Sequence, residues 1–152
     1  MTSRFTVVTV VPAARAEIFG ISLDIDAHVA SMSQSGERAV GGVTAGRIAL
    51  GETVTWRARH FGIWFTMTSQ ITELDEPERF VDRQVSGPFK VFEHEHRFDV
   101  TAAGTRMADV ITVASPIFGV LAERLVLVPY LRHLIAKRNR HLVAALAGTS
   151  RG

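Results

Sequence analysis

The sequence predicts an α+β fold: a curved antiparallel sheet of about seven strands gripping one long C-terminal helix. Three observations lead there. Between residues 37 and 115 the chain is a succession of segments rich in Val, Thr and aromatic residues, separated by short turn signals. After residue 115 the pattern changes to one extended stretch of helical periodicity. Two short helical segments separate the first strand from the rest.

The elements follow in order. "RFTVVTVV" (4–11) has a strand composition, and Pro12 ends it. "AARAEIFGISLD" (13–24) sets Ala16, Phe19 and Leu23 on one helical face, with Pro12 suited to the helix start. A second short helix is expected after Asp26, through "AHVASM", with Asp26 as its N-cap. "ERAVGGVTAG" and "ETVTWRARHF" read as strands, and Gly62 offers a tight turn into "IWFTMTSQITEL" (63–74). "DEP" breaks that run. "RFVDRQVS" (79–86), the stretch "FKVFEHEHRFD" (89–99) and "RMADVITVAS" (106–115) follow, the last two joined by a hairpin turn at "AAGT". Short turns make successive strands antiparallel neighbours. The last element runs from Pro116 to about Ala147 and would span ~48 Å if unbroken. Pro129 lies inside it, so a kink or break is expected near Val128. The organisation is a single ligand-binding domain over 1–147, with "GTSRG" (148–152) as a disordered tail. A sheet of this size must cover an apolar face, and only the last helix is long enough. The space between them is a natural ligand cavity.

Composition bounds the function. The chain has 152 residues, 47% hydrophobic and 21% charged, enough for a substantial core. It has no cysteine, which removes disulfides, thiolate metal sites and cysteine nucleophiles. No apolar run is long enough to span a bilayer, and the N-terminal alternation suits a strand better than a signal peptide, so a cytoplasmic protein is expected. Residues 123–152 hold six Arg/Lys against one acid, while the rest has eleven against fourteen. That basic end reads either as a solvated helix face or as a surface for anionic partners. There is no G-x-S-x-G, no phosphate loop and no dinucleotide fingerprint. Nor is there an aromatic stacking platform beside the basic helix, so no nucleic acid partner is expected.

Alternation decides which side chains face the cavity. In "VFEHEHRFD", Val91, Glu93, Glu95, Arg97 and Asp99 share one face, almost wholly charged and directed to water. Phe92, His94, His96 and Phe98 therefore point inward. In the next strand Met107, Asp109, Ile111 and Val113 go together, and the hairpin turn sets Asp109 level with His96 or Phe98. Val54, Trp56, Ala58 and His60 are the inner set of their strand, and Ile63, Phe65, Met67 and Ile71 of the next. In "RFVDRQVS" the pattern leaves two choices open, Phe80/Asp82/Gln84/Ser86 or Val81/Arg83/Val85. On the last helix, Leu131, Leu134, Ile135, Leu142, Ala145 and Leu146 form an apolar stripe with Arg138 near its centre. A guanidinium there must find a carboxylate, a ligand oxygen or water, and Asp82 and Asp109 are the candidates. Trp64 falls on the outer face, near the Phe61-Gly62 turn.

The order of elements resembles the START-like helix-grip superfamily of lipid-transport, polyketide cyclase/dehydrase and pollen-allergen-type proteins. The stretches "GETVTWRARHFG" (51–62), "ITELDEPERFVDRQVSGPFKVFEHEHRF" (71–98), "GTRMADVITVASP" (104–116) and the arginine within "IAKRNRHL" (135–142) resemble its small bacterial members. The likeness covers nearly the whole chain. It implies the helix-grip fold and favours Phe80 and Asp82 inward. It does not imply one activity, because that scaffold carries many functions.

Three functions stand. The first is binding of a small hydrophobic molecule. Trp56, Phe65, Phe92 and Phe98 would supply apolar wall, with Ile135 and Leu142 opposite. His60, Asp82, His94, His96, Asp109 and Arg138 would supply polar contacts. The second is a cyclase or dehydratase in which His94 or His96 acts as general acid–base, an aspartate such as Asp109 orients it, and Arg138 stabilises an enolate. The third is an interaction module using the basic helix. An H-x-H pair on one strand face can bind zinc given a third ligand such as His60 or Asp109. Local spacing supplies no such ligand, and no metal or cofactor is expected. The apolar segment "PIFGVLAERLVLVPYL" (116–131) is either a buried helix start or a gate that touches cargo or membrane. Oligomeric state is not encoded in these patterns.

Overall fold

The structure is a computed structural model and describes residues 2–115 and 119–149. Seven strands form one antiparallel sheet in the order β1-β7-β6-β5-β4-β3-β2. They are β1 (Ser3–Val11), β2 (Arg38–Gly42), β3 (Thr53–His60), β4 (Ile63–Asp75), β5 (Arg79–Ser86), β6 (Val91–Thr101) and β7 (Gly104–Ala114). The helices are α1 (Arg15–Ser22), α2 (Ile25–Ser31), α3 (Gly119–Ala122) and α4 (Val128–Thr149). The chain starts at one sheet edge, crosses to the other through α1 and α2, then meanders back until β7 pairs with β1. No helix among the described residues is long and apolar enough to cross a membrane.

Alternation governs the sheet as expected. Along β6, His94, His96 and Phe98 are buried while Arg97 and Asp99 are exposed. Glu95 receives Arg79 and Arg97, and Glu93 receives Arg83, so the outward charges form a cross-strand network. In β5, Phe80 is buried and Asp82 turns to the same side. Ile63 departs from expectation. It has the inward parity but is exposed, at the hairpin end of β4 opposite His60. Trp64 is half exposed on the outer face, with the Arg57 guanidinium 4.7 Å from its ring centre.

The closed end of the molecule is aromatic. Phe19 of α1 meets Phe80 at 5.6 Å and Phe98 at 5.2 Å, both edge-on. The cap of α2 is Asp24 rather than the expected Asp26. Asp24 is extended and its Oδ1 accepts from Ala27 N at 2.9 Å, while Asp26 accepts from Gly46 N. Likewise α1 begins at Arg15, after Ala14 as N-cap, and not at Pro12. The β6–β7 hairpin depends on Gly104, whose φ is 132° and whose Cβ position lies 2.3 Å from Val11 O. Gly104→Ala is expected to cost about 2 kcal/mol or more. Urea unfolding measures it, and an unchanged midpoint would show that the hairpin yields.

The C-terminal element is helical without a gap from 119 to 149, but its winding is not uniform. Pro116, its expected start, lies outside the described residues. After α3 the backbone widens into an i→i+5 turn over Glu123–Leu127, and α4 begins at Val128 with Pro129 in its first turn, where a missing N–H is tolerated. Where the sequence predicts a kink or break near Val128, the structure instead has this wide turn immediately before it, with the helix unbroken. α4 is 22 residues, roughly 33 Å long. It continues through Thr149, into the stretch expected as tail, whose last residues, 150–152, are not described. The wide turn buries Glu123, which accepts from Ser3 Oγ at 3.1 Å and from Ser115 N, and it turns Leu121, Leu125 and Val126 outward. A fully buried helix start is thereby corrected: those three side chains are 72%, 68% and 56% exposed.

Candidate functional site

Between the concave sheet face and α4 lies a cavity of about 330 Å³. Its apolar wall includes Trp56, Phe65 and Phe92 from the sheet and Leu131 and Ile135 from the helix. His60, Asp82, His94, His96 and Arg138 also line it, as the sequence led one to expect. Three residues expected in the lining, two apolar and one polar, do not. Phe98 and Asp109 have no exposed surface and Leu142 almost none, and all three lie behind the lining. Phe98 is held in the ring cluster of Phe19 and Phe80, Leu142 packs in the same core, and Asp109 is covered by His94, Arg138 and Asn139.

The polar floor is built by strand register. Asp82 pairs with His94 across β5–β6, and His96 pairs with Asp109 across β6–β7. The side chains bond along the diagonals instead: His96 Nε2 to Asp82 Oδ2 at 2.7 Å, and His94 Nε2 to Asp109 Oδ1 at 2.7 Å. The rings stack in one column, Phe80 on His96 at 4.0 Å and His96 on His94 at 3.6 Å. From α4, Arg138 Nη2 donates to Asp109 Oδ1 at 2.8 Å. Asn139, for which the sequence carries no signal, accepts from Arg138 and donates to Asp109 Oδ2 and Thr9 Oγ1, tying helix to sheet.

These contacts set the charges. Burial opposes ionisation of Asp109, but the Arg138 guanidinium and the two histidines outweigh it and hold its carboxyl well below the usual range. Asp82 is likewise pushed up by burial and brought below its usual value by His96, His94 and Arg138. Burial lowers His94 to about 4, helped by the adjacent His96 and opposed by Asp109. His94 is therefore neutral at pH 7, with its proton on Nε2 facing the Asp109 carboxylate. Its Nδ1 carries a lone pair and has no hydrogen-bond partner among the described residues. Arg138 Nη1 is also without one. The floor thus offers the cavity one unpaired acceptor and one unpaired cationic donor. His96 Nδ1 is buried and unbonded, 3.4 Å from Asp109 Oδ1.

Ligand atoms of Asp82, His94 and His96 lie within 4.8 Å of one another, close enough to suggest a metal. The ring geometry opposes it. The two imidazoles are within 19° of parallel, so their in-plane lone pairs run side by side, whereas tetrahedral zinc needs them to converge. Both Nε2 atoms are already committed to carboxylates.

At the cavity mouth His60 Nδ1 and Tyr130 Oη are 2.6 Å apart, and Phe61 lies 4.5 Å from the Tyr130 ring. Burial lowers the His60 pKa. Nothing local in the sequence ties Tyr130 to a residue seventy positions away. His28 and Glu37, paired at 2.6 Å with His28 over Trp56 at 4.3 Å, also line the cavity and were not anticipated.

No family model and no curated protein sequence matches the chain. Solved structures do match its fold. A Thermus thermophilus protein, TTHA0849, superposes with a TM-score of 0.76 at 19% identity over 99% of each chain. An aromatase/cyclase of a Streptomyces species gives 0.75 at 13% identity, over 95% of this chain and 93% of that one. Major latex-like protein 151 of Panax ginseng gives 0.69 at 15%, over 95% and 97%. At these identities the likeness concerns the fold, which is the helix-grip fold of START-like proteins.

Proposed function

We propose that the protein binds a small, mostly apolar molecule carrying one polar end, such as a hydroxyl, keto or carboxylate group. The observation that supports this is the cavity itself, an apolar space ending on a floor where His94 Nδ1 and Arg138 Nη1 have no protein partner among the described residues. A ligand hydroxyl would satisfy both, donating to His94 Nδ1 and accepting from Arg138 Nη1, whereas a keto or carboxylate oxygen would accept from Arg138 alone. Phe61 and Leu127 line the cavity, and exposed Leu125 and Val126 adjoin Leu127. That apolar rim is the route for cargo and the surface that would touch a membrane. The test uses the neutral fluorophore N-phenyl-1-naphthylamine. Fluorescence should rise on binding, fall on addition of decanol, and rise at least about tenfold less readily with Ala58→Phe, which fills the cavity. No rise with the wild-type protein would overturn the reading.

A second reading has its own support. His94, neutral and oriented by Asp109, is arranged as a general base. It would take a proton from carbon beside a carbonyl, with Arg138 Nη1 facing the resulting enolate oxygen, as a cyclisation or dehydration requires. The aromatase/cyclase that shares the fold is consistent with this at the level of scaffold only. Under this reading His94→Gln abolishes turnover of a poly-β-ketone and leaves fluorophore binding intact.

A further inference from the structure

A second pocket of about 220 Å³ adjoins the cavity, and Met32, Tyr130 and Leu134 line both. It exists because β2 stops opposite Arg57, so residues 58–60 of β3 have no strand beside them there. The gap opens between the end of α2, Arg59 and α4. Tyr130, His133, Leu134 and Lys137 are spaced i, i+3, i+4 and i+7, so one face of α4 forms its wall. The charge is one-sided. Arg59, His133 and Lys137 line this pocket and no Asp or Glu does. None of the three makes a hydrogen bond or ion pair among the described residues. Of the other arginines in the sheet, Arg79 and Arg97 pair with Glu95, Arg83 with Glu93 and Arg106 with Asp99, while Arg4, Arg38 and Arg57 have no ion pair among the described residues.

From this we infer that the pocket receives an anionic head, a phosphate monoester or carboxylate, borne by the molecule whose apolar part fills the main cavity. The inference rests on the apolar binding proposed above and adds a second, anionic end to the ligand: an amphiphile whose head lies beside Met32, Tyr130 and Leu134, while the His94–Arg138 floor faces the other end of its apolar part. Arg59 presents a fork of donors and Lys137 a point charge, the two cationic groups best suited to phosphate oxygens. Unpaired cations beside an acid-free wall incur no loss of existing ion pairs when an anion arrives.

Calorimetric titration with decyl phosphate, decanol and inorganic phosphate tests this. Decyl phosphate should bind at least about tenfold tighter than decanol at low salt, and the preference should shrink as salt rises. Arg59→Gln with Lys137→Gln should lower decyl phosphate to the affinity of decanol and leave decanol unchanged. Neither side chain holds a partner among the described residues, so the fold should survive, as circular dichroism will report. Arg140→Gln, outside the pocket, should change nothing. Equal binding of decyl phosphate and decanol to the wild type, or a preference that persists in the double variant, overturns the inference while the cavity reading stands. Inorganic phosphate binding as tightly as decyl phosphate also overturns it, since the anion would not then be linked to the cavity. If decanol and decyl phosphate both fail to bind, both readings fall.

Discussion

Arg138→Met is expected to lower the unfolding free energy by about 3–5 kcal/mol at pH 7. The substitution keeps the apolar stem of the side chain and removes the guanidinium. Asp109 then has no exposed surface and no cation beside it, and keeps only His94, Asn139 and the more distant His96 Nδ1. Asn139 in turn loses the donors that occupy its Oδ1. Urea unfolding measures the loss. Arg138→Met combined with Asp109→Leu removes both charges, and its cost should be clearly less than the sum of the two single substitutions. A single-variant loss below about 1 kcal/mol would mean that water, and not the ion pair, satisfies Asp109.

Between pH 7 and pH 4 the protein is expected to lose on the order of 3 kcal/mol through His94 alone. The unfolded histidine takes up a proton as pH falls through 6.5, but the buried one resists until about 4. Across that window the unfolded state binds more protons. The contribution is therefore complete above pH 6.5 and lost as pH falls to about 4. His60, also lowered by burial, acts in the same direction. Asp82 and Asp109, both held below their usual values, add to the loss from about pH 5 downward, where the unfolded carboxylates begin to take up protons. Unfolding free energies taken from pH 7 to 4 should slope steeply for the wild type and distinctly less for His94→Gln. Parallel profiles would place the titration on other groups.

Much of the floor is legible in the sequence because strand geometry is local. Glu93, Glu95 and Arg97 mark the solvent face, and His94 and His96 must then point inward. The tight hairpin at residues 101–104 sets His96 level with Asp109. Arg138 at the centre of an apolar stripe demands a carboxylate, and Asp109 is the one it meets. Pro129 marks the start of α4. The sequence reads Asp26 as the cap of α2, but Asp24 takes that place, and Asp26 accepts instead from Gly46 N, a contact twenty residues away that local pattern does not encode. Asn139 looks like a polar residue on the edge of the stripe. Its burial follows from the depth at which α4 sits in the sheet, a distance that no helical period encodes. Glu123 reads as one acid in a basic end, and only the wide turn before α4 buries it against Ser3 and Ser115.

The alternation and periodicity of the chain by themselves determined the elements, the antiparallel order and the side of the sheet on which each side chain of β6 and β7 lies. Those follow from backbone geometry, which repeats every two residues in a strand and about every 3.6 in a helix. Only the tertiary structure decided which inward side chains face empty space and which face other side chains. Phe92 and Phe98 share one face of one strand, yet Phe92 lines the cavity and Phe98 fills the core beneath Phe19. The difference is the gap between two surfaces, set jointly by the curvature of the sheet, the thickness of α1 and the line of α4. No single segment carries that information.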